Sequence, residues 1–377
     1  MRTAESAQLI DVTGLEVLFG VLHERGYTIV GPTVRDGTVT MAELDSATQL
    51  PWGWSADTGP GHYRLRQRAD GAGFAHCAGP QSVKNFLHPP RARLWSTDRT
   101  ADGIIATGPE PPTKRYALVG VHPCDVAALA VLDRVLAHGE HPDPVYTARR
   151  DGVLVVTAEC TEPGATCFCA SMGTGPAATG GYDLALTELV DGGHRFLIRP
   201  GSPAGADLLA RLPTRPASPV DVAAADTAVE RAAVTMPRRM PDGSLPELIA
   251  ANRESPHWAD VASRCLTCGN CTMACPTCFC VSTTDVTDLT GEHTERWRQW
   301  DSCFSVDFSY VHGGPVRASG ASRYRQWISH KLGTWHEQFG MSGCVGCGRC
   351  IAWCPAGIDI TREAAALAAP TPAGEPS

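Results

Sequence analysis

The sequence predicts a fold of the α+β class, in which an α/β-like N-terminal domain is followed by a mainly helical, cysteine-rich domain. Strand-like apolar runs alternate with helix-like segments up to about residue 200, a pattern typical of packed α/β layers. Two copies of one cysteine run then occupy 265–276 and 344–355. The 377 residues, 43% of them hydrophobic and 19% charged, are sufficient for two buried cores.

The N-terminal elements follow from periodicity and turn residues. An amphipathic pattern predicts a helix over 14–26 that ends at Gly26. The pair Asp36-Gly37 predicts the turn between two short strands over 28–40. Further along, we expect a strand, a turn and a helix over 116–137, a strand over 153–158, and a hairpin formed by 182–190 and 195–199.

Each cysteine run follows the spacing C-x2-C-x2-C-x3-C-P, which is typical of bacterial 4Fe–4S ligation. In this pattern three thiolates of one run bind one cube, and the fourth cysteine crosses to the other cube. The sequence therefore predicts two 4Fe–4S clusters in a ferredoxin-like dicluster domain. The first ligand set is Cys265, Cys268, Cys271 and Cys354, and the second is Cys344, Cys347, Cys350 and Cys275.

Zinc and disulfides are the alternatives for the same cysteines. Zinc sites usually pair two C-x2-C units over a longer gap and need only four ligands, and disulfides need an oxidising compartment. The doubled run, with a proline after each fourth cysteine, favours iron–sulfur clusters over both.

The other cysteines include a second group whose spacing is a less specific motif for metal binding. Cys160, Cys167 and Cys169 follow one predicted strand, and Cys124 follows another. If the two strands are neighbours in one sheet, all four thiols meet at the same edge, where they are candidate ligands of a third 4Fe–4S cluster. His122 or Asp125 is an alternative ligand to one of these thiolates, and a group of buried free thiols is the alternative interpretation of the whole set.

Four cysteines have no assigned role at this point: Cys77, Cys278, Cys280 and Cys303. We expect Cys77 to be structural and the other three to pack near a cluster.

The chain divides into four predicted segments. Residues 1–200 form the N-terminal domain, and 201–245 form a connector with one helix over 221–235, for which Asp221 is the candidate cap. Residues 246–361 form the dicluster domain, in which 277–343 is a helical insert with several tryptophans that we expect mainly in the core. Residues 362–377 form a C-terminal tail whose end is expected to be disordered.

Composition limits the class of function. The net charge of -8 and a pI near 5.9 give no support for binding to nucleic acid or to an anionic membrane. We expect no membrane span, no signal peptide and a cytoplasmic location, since apolar runs are short and the 16 cysteines suit a reducing compartment. No dinucleotide fingerprint or catalytic motif is visible, so no catalytic residue is predicted.

The chain resembles the beta, electron-transfer subunit of cytosolic nickel–iron hydrogenases, also called sulfhydrogenases, a family that includes the A subunit of anaerobic sulfite reductases. The resemblance lies in GVHPCDVAALAVLDR (120–134), CTEPGATCFCASMGTGP (160–176) and most of 265–361. It implies a chain that relays single electrons through 4Fe–4S clusters between a flavin subunit using NAD(P)H and a catalytic metal subunit.

The resemblance favours a hydrogenase partner and a chain that is not catalytic alone. The A subunit of an anaerobic sulfite reductase is one alternative, and a self-contained flavin-dependent iron–sulfur oxidoreductase is another. The choice between NAD and NADP, the cluster potentials and the direction of electron flow stay open.

Overall fold

The computed structural model describes residues 7–369, which fold into mixed helices and sheets. Its helices are α1 (Val12–Glu24), α2 (Lys84–Leu87), α3 (Pro123–Leu132), α4 (Pro144–Arg150), α5 (Pro203–Leu209), α6 (Pro219–Val234), α7 (Leu245–Ala251), α8 (His257–Arg264), α9 (Asn270–Met273), α10 (Gly320–Ile328), α11 (Trp335–Phe339), α12 (Arg349–Ala352) and α13 (Ile360–Ala368). The N-terminal strands are β1 (Gln8–Asp11), β2 (Tyr27–Arg35), β3 (Thr38–Leu44), β4 (Trp54–Gly59), β5 (His62–Gln67), β6 (Arg91–Thr100), β7 (Gly103–Thr107) and β8 (Arg115–Val121). The later strands are β9 (Leu154–Glu159), β10 (Leu184–Leu189), β11 (Arg195–Pro200), β12 (Arg215–Pro216), β13 (Val281–Thr287), β14 (His293–Trp300), β15 (Tyr310–Val311) and β16 (Gly314–Pro315).

The largest sheet has eight strands in the order β12-β1-β11-β10-β9-β8-β2-β3. The central pairs β2–β8, β8–β9 and β9–β10 are parallel, and the outer pairs are antiparallel. Strand β9 is buried along its whole length and β8 along all but its first residue, as expected for near-continuous apolar runs in parallel strands. The predicted helix α1, the β2–β3 and β10–β11 hairpins and the strand–turn–helix at 116–137 are all confirmed, with small boundary shifts.

The adjacency of β8 and β9 decides where the N-terminal cysteines lie. Val119 pairs with Val156 in this parallel ladder, so both strands end at the same edge of the sheet. Cys124 follows β8 in the first turn of α3, and Cys160 follows β9 directly. The two strands that precede these cysteines are therefore neighbours in one sheet, as a shared cysteine site requires.

The insert between the cysteine runs begins as a hairpin rather than as helices. Strands β13 and β14 pair antiparallel, and β14 also pairs with β6 to make a four-stranded sheet. Valines and threonines in β13 and tryptophans in β14 favour strands. Arg296 also forms a cross-strand ion pair with Asp285 at 2.6 Å. The expectation of a helical insert is wrong for this half and holds only from α10 onward.

The insert's tryptophans divide between core and half-buried positions. Trp327 and Trp335 are buried, as expected. Trp297 and Trp300 are half-buried, with the Arg91 guanidinium 4.1 Å from the Trp297 ring and the Lys84 ammonium 3.8 Å from the Trp300 ring.

Two details differ from expectation in the connector. It holds α5 as well as α6, so it contains two helices rather than one. Ser218, not Asp221, is the N-cap of α6, and Asp221 accepts a hydrogen bond from the Ser218 backbone N–H at 3.2 Å. This reciprocal capping box stabilises the first turn of α6, because each side chain accepts a hydrogen bond from a backbone N–H that has no partner within the helix. The predicted tail begins within α13, and 370–377 lie outside the described residues.

Candidate metal centres

The first predicted ligand set lines one cavity. Cys265, Cys268, Cys271 and Cys354 all face it, and its remaining wall is mainly apolar, formed by residues that include Phe304, Tyr324, Trp327, Ile358 and Ile360. Backbone amides approach the sulfurs, since Thr267 donates to Cys265 Sγ and Ile358 to Cys354 Sγ, each at 3.4 Å. Cys354, from the second run, thus joins three cysteines of the first.

The second predicted set is also brought together. Burial, together with the thiols of Cys344, Cys347 and Cys275, raises the pKa of Cys350 well above its ordinary value. The thiols of Cys344, Cys347 and Cys275 therefore all lie near Cys350. Cys350 also lines the cavity of the first set, so the two sets adjoin.

The third predicted set lies at the shared edge of β8 and β9. Burial raises the pKa of Cys160, and the thiols of Cys169 and Cys167 raise it further. Cys124 lies near Cys169 of the same set and also near Cys347 of the second set. His122, one proposed substitute ligand, places Nδ1 3.3 Å from Cys160 Sγ.

A fifth thiol, that of Cys77, lies in this N-terminal group. The sequence did not predict that Cys77 would join the other four cysteines. The position that a Cβ on Gly164 would take is 3.4 Å from both Cys77 Sγ and Cys167 Sγ. The Cys77 thiol also raises the pKa of Cys167, after burial. No spacing signal identifies Cys77, because it comes from a separate loop before α2.

The N-terminal thiol loop packs directly on the second cysteine run. Phe168 donates its backbone N–H to Gly346 O at 2.9 Å. A Cβ on Gly346 would lie 2.6 Å from the backbone of Cys169, and the backbone angle φ at Gly346 is +63°. Thr267 takes the equivalent place in the first run with φ of +50°. Glycine at 346 is therefore required by the close approach as well as by the turn.

Buried cations surround the cysteines. Lys331 donates to Cys275 Sγ at 3.3 Å, Thr277 Oγ1 at 3.0 Å and Gly343 O at 2.9 Å. Lys84 donates to the carbonyl oxygens of Cys275 and Cys278 at 2.8 and 3.0 Å. No sequence motif marks either lysine, since both act through long-range contacts.

Asp125 has a different role from the one expected of it as a substitute ligand. Its carboxylate pairs with the buried Arg349 guanidinium at 2.9 Å, and Arg349 also donates to Gly79 O at 2.9 Å. This buried pair fixes the second cysteine run against the N-terminal domain, and it argues against Asp125 as an iron ligand.

The chemistry of the donor sets fits iron–sulfur clusters. Burial raises the pKa of Cys344 to about 12 even beside the Lys331 ammonium, and it raises the pKa of Cys271 as well, so ionisation of these thiols requires further positive charge. A bound metal supplies that charge and deprotonates coordinating thiols. Within residues 7–369, no three His, Cys, Asp or Glu side chains converge as they would on a single metal ion. The first set instead surrounds a cavity, as a multi-iron group with one thiolate per corner requires.

The comparisons with known proteins agree with this geometry. A family model described as a 4Fe-4S dicluster domain matches residues 264–358. The chain is 33% identical over 251 residues to sulfhydrogenase 2 subunit beta of Pyrococcus furiosus, a match covering 66% of this chain and 72% of that protein. No solved structure matches the chain.

The fold and the site define an iron–sulfur electron-transfer protein with a C-terminal 4Fe–4S dicluster domain. More particularly, the chain belongs to the family of sulfhydrogenase beta subunits, as its sequence predicted. None of the helices within 7–369 is long and apolar enough to cross a membrane.

Proposed function

We propose that this chain is a cytoplasmic electron-transfer subunit. It relays single electrons between a flavin subunit that uses NAD(P)H and a catalytic metal subunit, for which a nickel–iron hydrogenase is favoured by the likeness to a sulfhydrogenase subunit. The observation that carries the proposal is the adjacency of two four-cysteine sets, since Cys350 of the second lines the cavity of the first. Adjacent clusters give single electrons a short path.

The ligand sets that we propose are crossed between the two runs. Cys265, Cys268, Cys271 and Cys354 hold one cluster, and Cys344, Cys347, Cys350 and Cys275 hold the other. The contact of Cys354 with the first cavity and the repulsion between Cys275 and Cys350 support this crossing. Bound clusters supply one-electron redox chemistry, while the chain positions them and excludes water through the apolar wall.

A third cluster in the N-terminal domain completes the proposed relay, held by Cys124, Cys160, Cys167 and Cys169. The packing of Cys169 on the Gly346 turn and the nearness of Cys124 to Cys347 support a path from this group into the second set. Iron analysis of the full chain tests it. We expect about twelve irons for three cubes, falling by about four in Cys167→Ser. Iron for only two cubes in well-reconstituted protein would refute the third cluster.

One cysteine of the first proposed ligand set reaches the protein surface. Cys268 is exposed, and its neighbour Leu266 is 65% exposed, whereas Cys275 and Cys344 are buried. We propose that the catalytic subunit docks near Cys268. The expected assembly is tested by size-exclusion chromatography of native extract, where the chain should elute in a complex well above its own 40.0 kDa. A monomer that oxidises NAD(P)H unaided would overturn the subunit role.

A further inference from the structure

Two cysteines outside the proposed ligand sets, Cys280 and Cys303, have neighbouring thiols, each of which shifts the pKa of the other. Cys280 immediately precedes β13, and Cys303 follows the end of β14. The ladder continues one step beyond the strands, because Asp301 donates its backbone N–H to Cys280 O at 2.9 Å. The hairpin therefore holds the two cysteines together independently of any metal.

The groups around Cys280 favour its thiolate. Its sulfur lies beside the thiol and the backbone N–H of Cys303, and the Lys331 ammonium adds a positive field. The Cys303 thiol is the largest cause that lowers the pKa of Cys280 to about 7, against the opposing effects of burial and Asp301. Both side chains are partly exposed. A partly exposed, stabilised thiolate beside a second thiol is typical of a redox-active pair.

The pair lies between the two proposed cluster sites. The Cys303 thiol is close enough to Cys271, of the first ligand set, for the two to interact electrostatically. Cys280 interacts in the same way with Cys278, whose thiol contacts Cys275 of the second set. Electrons from the pair therefore have a short route to either cluster.

We propose that Cys280 and Cys303 form a redox-active dithiol that exchanges two electrons with the adjacent clusters. On oxidation, the Cys303 S–H bond breaks and its proton leaves to solvent. A sulfur–sulfur bond forms between the Cys280 thiolate and Cys303, and two electrons depart. The electrons would pass one at a time to oxidised 4Fe–4S clusters held by the two adjacent cysteine sets, and the reverse sequence would reduce the disulfide.

The dithiol would store an electron pair beside carriers that move one electron at a time. Its chemistry rests on the proposed function, because the clusters are its electron acceptors. The sulfur–sulfur bond requires the two neighbouring sulfurs to approach to about 2 Å, which rotation of the two side chains can supply.

Differential alkylation of the full-length holoprotein tests the proposal. Anaerobic protein is either reduced with dithionite or oxidised with a ferricyanide-poised mediator, then treated with iodoacetamide and analysed as peptides. We expect Cys280 and Cys303 to be alkylated in the reduced sample and joined to each other in the oxidised one. In Cys303→Ser, the matched control, Cys280 should be alkylated in both samples.

Iron content and coulometry separate this proposal from the function on which it rests. Cys280→Ser and Cys303→Ser should keep the wild-type iron content, and each should accept two fewer electrons per chain. Full iron with both cysteines alkylated after oxidation would overturn only the dithiol. Iron loss in either variant would show that they are ligands instead and would also overturn it. Wild-type protein without the iron of two clusters would overturn the proposed function and the dithiol together.

Discussion

Lys331 places a positive charge against the cysteine that we propose as the crossing ligand. It is only 3% exposed, and its ammonium lies 3.3 Å from Cys275 Sγ. Burial opposes the charged form, but the neighbouring sulfurs of Cys275, Cys278 and Cys344 hold the pKa of Lys331 well above its ordinary value. A buried ammonium is stable only beside compensating negative charge. An anionic cluster bound by Cys275 would provide that charge, and Lys331 would in turn favour its reduced form.

The expected effect follows from Coulomb's law. At 3.3 Å and an effective dielectric constant of about 20, two unit charges interact by about 5 kcal/mol. An added electron spreads beyond the Cys275 sulfur, so we take roughly half of that, about 2.5 kcal/mol. For a one-electron couple this corresponds to roughly 100 mV. Removing the charge makes reduction less favourable, so Lys331→Met should lower the potential of the cluster that Cys275 binds by roughly that amount.

Redox titration followed by electron paramagnetic resonance measures this change. Lys114→Met is the matched control, because Lys114 is exposed and pairs with Glu43 at 2.7 Å rather than with a thiol. We expect the control to leave every cluster potential unchanged. A folded Lys331→Met protein with full iron and unaltered potentials would refute the electrostatic reasoning.

Three further predictions concern ligation and packing. Cys275→Ala should remove the cluster held by the second run, measured by iron content and electron paramagnetic resonance, and loss confined to the first cluster would reject the crossing. Gly346→Ala should destabilise the fold by about 1–3 kcal/mol, since its Cβ would lie 2.6 Å from the backbone of Cys169. Gly20→Ala, where nothing lies within 4 Å, is the control, and equal denaturant midpoints for the two variants would contradict this reasoning. Anaerobic chelation should unfold 246–361, because metal binding contributes folding free energy there. A protease-resistant, helical apo domain, seen by circular dichroism, would count against it.

The sequence by itself determined the features that depend on local spacing. The cysteine runs predict short ligand loops, because steps of three residues let one chain segment surround a cube. The apolar runs at 116–121 and 153–158 predict central strands, since parallel strands buried on both faces need continuous apolar residues. Both predictions depend on residues close together in the chain, and the structure contains β8 and β9 where they were expected.

Only the tertiary structure decided which distant residues meet. The pairing of β14 with β6 replaced the expected helices over 281–300, because cross-strand partners from the N-terminal domain satisfy its backbone groups. The same long-range packing brought Cys77 to Cys167 and Lys331 to Cys275. Contacts of this kind leave no periodic pattern in the sequence. They arise only when separate elements bury their surfaces together, and they decide which thiols and charges share one low-dielectric site.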